Sequence, residues 1–153
     1  MSRVSKIMKT DVVTVDVSET VATAARRMSE RNLGAVVVVS DDKVWGIFTE
    51  RDLLNRVVAA ERDPRKTMVS EVATTACTTV DGNTEVMECY RILRDRTFRH
   101  LPIVDDESRP IGMIAARDFL RTFVVQMEAF ADMTEFEAQV GSLALSGEPA
   151  NLR

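Results

Sequence analysis

The sequence contains one pattern twice. Gly46-Ile47-Phe48-Thr49-Glu50-Arg51-Asp52 returns as Gly112-Met113-Ile114-Ala115-Ala116-Arg117-Asp118, so Asp52 and Asp118 stand 66 residues apart. Upstream, Val15-Asp16 returns as Val80-Asp81, 65 apart. Helix and strand periodicities run at 3.6 and 2 residues and cannot produce so long a repeat. It marks a duplicated supersecondary unit, and such units bury their faces on one another. The duplication predicts two quasi-equivalent sites on a pseudo-twofold frame.

With 153 residues the chain is long enough for one ordinary domain or two small interlocked halves. A unit of about 60 residues buries only roughly 60% of its unfolded surface, so each half needs the other. The longest apolar run, Ala35 to Val39, falls far short of the ~20 residues of a membrane span. Met1 to Thr10 lacks an apolar core of signal-peptide length, so a cytoplasmic protein is expected. Cys77 and Cys89 fit no metal-ligand spacing and read as reduced thiols. Basic residues number 20 against 24 acidic ones, and a net charge of −4 gives no general pull toward nucleic acid.

Each unit reads as the same series of elements. In the first, Asp11 to Val15 is a short β-branched run, and Ser18 offers an N-cap for a helix carrying Val21, Ala24, Ala25 and Met28. Leu33 to Val39 does not alternate, which predicts a strand buried on both faces. Asp41-Asp42-Lys43 makes a polar turn, and Val44 to Phe48 is the returning strand. A helix from Thr49 presents Leu53, Leu54, Val57 and Val58 on its apolar side. In the second unit Asn83 takes the place of Ser18, ahead of Val86, Cys89, Tyr90 and Leu93 at helical spacing. Leu101 to Val104 and Pro110 to Ala115 are its strands, around the turn at Asp105 to Ser108, and helix follows from Arg117. Ala60 to Thr67, with Asp63-Pro64 at its centre, links the units.

Chemistry belongs at the strand-to-helix junctions. Thr49 with Asp52 three residues later resembles a capping box, although Glu or Gln is usual there, and an acid in the first turn suits the helix dipole. The second copy weighs against capping as the whole explanation, because Ala115 replaces the threonine while Arg117 and Asp118 remain. An ionised aspartate is a pure acceptor matched to the vicinal hydroxyls of a ribose. A threonine hydroxyl and the free N–H groups of a helix start suit phosphate, and Arg51 or Arg117 can add charge-assisted bonds. Gly46 and Gly112 permit close approach of a backbone or ring. A nucleoside phosphate satisfies these groups together.

The pattern Gly-x-x-Thr-x-x-Asp, with the upstream segment Phe98-Arg99-His100-Leu101-Pro102-Ile103-Val104-Asp105, resembles a tandem pair of cystathionine-β-synthase (CBS) domains, often called a Bateman module. The likeness covers about residues 1 to 121. It implies an α+β fold of two β-α-β-β-α repeats packed sheet to sheet by pseudo-twofold symmetry. Residues 1–60 form the first repeat, 61–67 the linker, 68–121 the second repeat and 122–153 a helical extension and tail. Such pairs leave two clefts that commonly bind adenosine derivatives, usually dimerise into a flat disc, and often regulate an enzyme or channel.

Carried over by position, Asp52 holds a ribose and Thr49 a phosphate, with Arg51 nearby. Backbone at Ala35, Val36 and Val37 and the strand at Thr14 and Val15 sandwich the adenine. In the second copy Asp118 keeps the ribose role, while Thr79, Val80, Leu101, Pro102 and Ile103 match the base-binding strands. Ala115 there lacks the hydroxyl, a loss of about 0.5–1.5 kcal/mol, or about 1.5–3 kcal/mol for a bond to a charged group, that Arg117 offsets in part. The Thr49/Asp52 site is the stronger of the two. His100 carries two readings, a phosphate contact in the central cleft and a solvated strand residue.

The likeness implies a non-catalytic sensor of AMP, ADP or ATP, with or without magnesium, and no catalytic cofactor. S-adenosylmethionine, a nicotinamide dinucleotide, or a dimerising scaffold with empty clefts remain alternatives. The single histidine rules out a metal cluster of several histidines within one chain, and no P-loop or GxGxxG is present. Arg91, Arg94, Arg96 and Arg99 read first as a solvated face and second as a phosphate or partner contact. Beyond the repeat, Leu120, Phe123, Val124, Met127, Phe130 and Ala131 form an apolar stripe. Met133, Phe136, Val140 and Leu143 extend it before Gly147 and Pro149. Core packing is the plain reading of this stripe, and its density of Phe and Met favours a homodimer interface. With only ~30 residues beyond the repeats, the regulated effector is expected to be a separate protein, or the module senses without one.

Overall fold

A computed structural model describes residues 2–96 and 98–146, with backbone alone at 126, 136 and 139–146. The chain falls into two compact units, Met1–Ala116 and Arg117–Arg153. The first holds two three-stranded sheets, one from each repeat. In the first repeat, β1 (Thr14–Asp16) runs parallel to β2 (Ala35–Ser40) through α1 (Val21–Arg31), and β3 (Lys43–Thr49) returns antiparallel. In the second, β4 (Val80–Asp81), α4 (Val86–Asp95), β5 (His100–Val104) and β6 (Pro110–Ala115) repeat that order. The α+β architecture of duplicated units is as the sequence implies.

The duplication extends to irregularities. A register shift at Val38/Val39 recurs at Ile103/Val104, and Gly46 opposite Val38 matches Gly112 opposite Ile103. The repeated Val-Asp has a local purpose as well. Asp16 accepts the Ser18 amide at 3.0 Å, and Asp81 accepts the Asn83 amide at 2.7 Å, the same side-chain-closed turn in both copies. Ser18 and Asn83 therefore belong to these turns and are not the helix caps that their position suggested. Thr20 caps α1 by accepting from the Thr23 amide, whereas Glu85 stands at the start of α4 without a side-chain cap bond.

β2, the middle strand, is buried from Ala35 to Val39, as its unbroken apolar run predicts. Asp41 and Asp42, both at positive φ, turn the chain into β3. After β3 comes a single α turn, α2 (Glu50–Asp52), and then a π-helical segment, Leu53–Val58. Its wider winding, with the Ala59 amide bonded to the Leu54 carbonyl, keeps Val57 in the core and leaves Leu54 and Val58 exposed. Only half of the apolar face expected there is buried.

The two repeats exchange their flanking segments. Thr74 pairs with Ile47 of β3, and Lys9 pairs with Met113 of β6, each through two backbone hydrogen bonds of 2.9–3.0 Å. Val69 and Val72 of α3 (Val69–Val72), with Ala73, pack in the core cluster of Val15, Val21, Met28, Val36 and Phe48. At the other end, the Val4 and Ser5 amides bond to the Thr84 and Gly82 carbonyls. Gly46 and Gly112 make the exchange possible. A Cβ on Gly46 would stand 2.6 Å from the Thr74 carbonyl oxygen, and one on Gly112 would strike the Met8 side chain.

Gly46→Ala is expected to cost about 1–3 kcal/mol in urea denaturation, because backbone stands in the way. Gly112→Ala is expected to cost less, because the flexible Met8 side chain can move aside. Burial pushes the Cys89 thiol up to about 11 from its ordinary 9.0. The folded chain thus keeps a proton there that the unfolded chain releases. This contribution to stability is full below pH 9.0 and is lost as pH rises toward 11. A thiol-titration assay on native protein at mildly alkaline pH should find Cys89 unreactive until denaturant is added.

Candidate functional site

β3 ends at Thr49, whose extended backbone hands the chain to α2, and the capping box read from the sequence is formed. The Thr49 hydroxyl accepts from the Asp52 amide at 3.2 Å, and Asp52 Oδ2 accepts from the Thr49 amide at 3.0 Å. The same Oδ2 lies 3.1 Å from Thr49 Oγ1, and Thr74 Oγ1 reaches Oδ1 at 3.2 Å. Arg56 Nε stands 3.7 Å from Oδ1, while its Nη1 donates to the Val72 and Ala73 carbonyls at 3.1 and 3.2 Å. Asp52 is thus 6% exposed with both oxygens engaged, and it clasps β3, α2 and the exchanged segment together.

Asp52 also lines a cavity of about 390 Å³. Thr49, Glu50, Arg51 and Arg56 line it from the first repeat, with Gly34 and Ile47. Thr74, Ala76, Phe98, Arg99 and His100 line it from farther along the chain. The size falls within the range that holds small organic ligands. Gly34 keeps one wall open: a Cβ there would come within 3.4 Å of Glu50 Oε2 and 3.6 Å of His100 Nε2. Arg56 is committed to Asp52 and two carbonyls. The Arg51 and Arg99 side chains are exposed, and among the described residues no hydrogen bond or ion pair engages either guanidinium.

The residues expected at this cleft divide into two groups. Thr49, Arg51 and Asp52 meet as expected, and His100 faces the cavity with Arg99, across from the first repeat's junction. Thr14, Val15, Ala35, Val36 and Val37 do not line it. Val15 and Val36 are core residues, and Ala35 and Val37 are buried in their sheet. Thr14 borders a different cavity of about 300 Å³ with Asp11, Arg27 and Arg31. Arg27 there is paired with Glu19 at 2.6 Å and Arg31 with Asp11.

Thr74 and Ala76, rather than Thr14 and Val15, line this cavity. The exchange of flanks brings the segment ahead of β4, not β1, to the edge of β3. The pairing of Gly46 with a close neighbour was the available signal, since the sequence shows only that something must approach it. In the second repeat Leu101, Pro102 and Ile103 are buried on β5, and Thr79 and Val80 are partly buried at β4. Arg117 and Asp118 open α5 (Ala116–Ser146) in the second unit. Of the arginine cluster, Arg94 pairs with Asp95 at 2.7 Å and lies over the Tyr90 ring, Arg91 and Arg96 are exposed, and Arg99 alone reaches the cavity. Among the described residues no group of three or more His, Cys, Asp or Glu side chains could hold a metal ion, and no helix is long and apolar enough to cross a membrane.

Two sheets of one design, exchanged flanks and a Thr/Asp junction on a cavity define a class of paired modules. The CBS-domain family model matches residues 4–59 and 69–125, and the chain belongs to that family as a tandem CBS pair. Protein MK0525 of Methanopyrus kandleri is 34% identical over 119 residues, which are 77% of this chain and 61% of that protein. The chain therefore spans less than two thirds of that relative. A protein with CBS domains from Burkholderia ambifaria is similar in structure, with a TM-score of 0.74 and 31% identity over 81% of this chain and 95% of that one. The CBS pair of protein MJ0100, solved with 5′-methylthioadenosine and S-adenosyl-L-methionine, shares the fold at a TM-score of 0.75 and 21% identity, covering 82% and 98% of the two chains.

Thr49→Ala is expected to lower stability by about 1 kcal/mol through loss of the cap. Asp52→Ala is expected to cost more, because the Thr49 amide and the Thr74 hydroxyl lose their shared acceptor. Urea denaturation of both variants measures the order, and equal losses would mean that Thr74 gains nothing from Asp52.

Proposed function

We propose that this CBS pair is a non-catalytic sensor whose Thr49/Asp52 cleft takes an adenosine-containing ligand bearing phosphate: AMP, ADP or ATP. The observation that carries the reading is the pair of uncommitted guanidinium groups, Arg51 and Arg99, on a cavity of about 390 Å³ floored by a buried carboxylate. Guanidinium forks match phosphate oxygens bidentately, and His100 stands among them as a further donor. Asp52, an acceptor only, suits the ribose hydroxyls at the other end of such a ligand. Two like charges at the rim disfavour the cationic sulfonium of S-adenosylmethionine, which is why nucleotides come first although the MJ0100 pair binds that ligand.

A ligand that binds unequally to two shapes of the module shifts their populations, and a partner protein reads the change. Magnesium would join through the phosphates of ADP or ATP, since the chain offers no metal cluster of its own among the described residues.

A thermal-shift panel of adenosine, AMP, ADP, ATP with and without magnesium, S-adenosylmethionine and NADH tests this. At ~100 times its dissociation constant the preferred nucleotide should raise Tm by roughly 5–10 °C. Arg51→Ala with Arg99→Ala alters only exposed side chains and should reduce the nucleotide shift to that of adenosine. No shift from any of the compounds would turn the reading toward a scaffold with empty clefts.

A further inference from the structure

The long helix α5 carries a surface that the sensor reading does not use. Leu120, Val124, Met127 and Phe130 are 65, 45, 72 and 72% exposed, a concentration of apolar area that water-facing helices rarely carry. Leu120, Val124, Met127, Ala131, Thr134 and Ala138 follow one another in alternating steps of four and three. That spacing is the seam of a two-stranded coiled coil. Thr134 can enter such a seam because its hydroxyl is already satisfied, donating to the Phe130 carbonyl at 2.8 Å.

The charges beside this seam say what covers it. Arg121, Glu128 and Glu135 recur every seven residues along one flank, and the opposite flank carries Phe123, Phe130 and Glu137. A parallel partner would set the first flank against the second and leave Arg121 without an acid. A reversed partner sets the first flank against itself. With Val124 opposite Met127 of the partner subunit and Leu120 opposite the partner's Ala131, Arg121 meets the partner's Glu128, twice by symmetry.

The arrangement along the helix agrees. Arg117 and Arg121 lie near its start beside Asp118, while Glu128, Asp132, Glu135 and Glu137 follow from just short of its middle onward, with no basic residue in the last turn. Beyond Arg121 the described helix carries no basic residue, and a reversed neighbour sets the basic start of one copy beside the acidic stretch of the other.

We propose that a second copy of this chain occupies the stripe, α5 pairing antiparallel with α5. The inference narrows the homodimer expected from the sequence to one surface and one orientation, and it does not depend on which ligand fills the cleft.

Sedimentation equilibrium of the full chain tests it. The native chain should be a dimer at micromolar concentration, and Met127→Glu should be a monomer with unchanged circular dichroism. Arg121→Glu or Glu128→Arg alone should weaken the dimer about tenfold, since like charges then meet twice. The double variant, which exchanges the two charges, should return to near native affinity. A monomeric native chain would leave the stripe to some other occupant and overturn the proposal. So would a dimer indifferent to Met127→Glu, and a double variant as weak as the single ones would overturn the antiparallel orientation.

Discussion

Between the repeats, backbone packs directly against glycine. Thr74 lies so near Gly46 that no side chain fits between them, and only then do the Ile47 and Thr74 amides and carbonyls bond across the edge of β3. Those backbone groups would otherwise be left unpaired at a partly buried edge, which a small fold tolerates poorly. The pairing carries Val69, Val72 and Ala73 into the first repeat's core and delivers Thr74 to Asp52. Core, sheet edge and cavity therefore depend on one close approach.

Asp52 is at once a structural group and part of the cavity lining. As the third residue of a capping box it is fixed by the helix start, and Thr74 and Arg56 hold its other oxygen. A carboxylate held in this way loses little freedom on meeting a hydroxyl-bearing molecule, so its orientation is prepared before binding. The capping and ligand readings are not rivals at this junction. In the second copy Ala115 cannot cap, yet the aspartate persists in the first turn of α5.

Much of the fold was legible because local chemistry and tertiary packing ask for the same residues. The unbroken valine run of β2, the double-aspartate turn into β3 and the span Pro110 to Ala115 all lie where they were expected. Misreadings fall where two local structures compete for one residue type. Ser18 and Asn83 are good caps, but Asp16 and Asp81 recruit their amides into turns two residues earlier. Leu54 and Val58 fit an α-helical face that the π winding removes. In the cleft, Thr49, Arg51, Asp52, Arg99 and His100 were legible from the motifs, whereas Thr74 and Ala76 were not, because nothing local ties them to β3.

The sequence by itself determined that the chain is a duplicated α+β module, where each strand-to-helix junction lies, and which polar groups stand there. Those properties follow from periodicity, turn chemistry and repeat spacing, all short-range or internal to the sequence. The tertiary structure alone decided that each repeat completes the other's sheet edge. It also decided that Asp52 spends both oxygens on the fold, and that Arg51 and Arg99 remain uncommitted beside it. These outcomes depend on which backbone edges are left unpaired once the sheets have formed, a quantity no single segment carries.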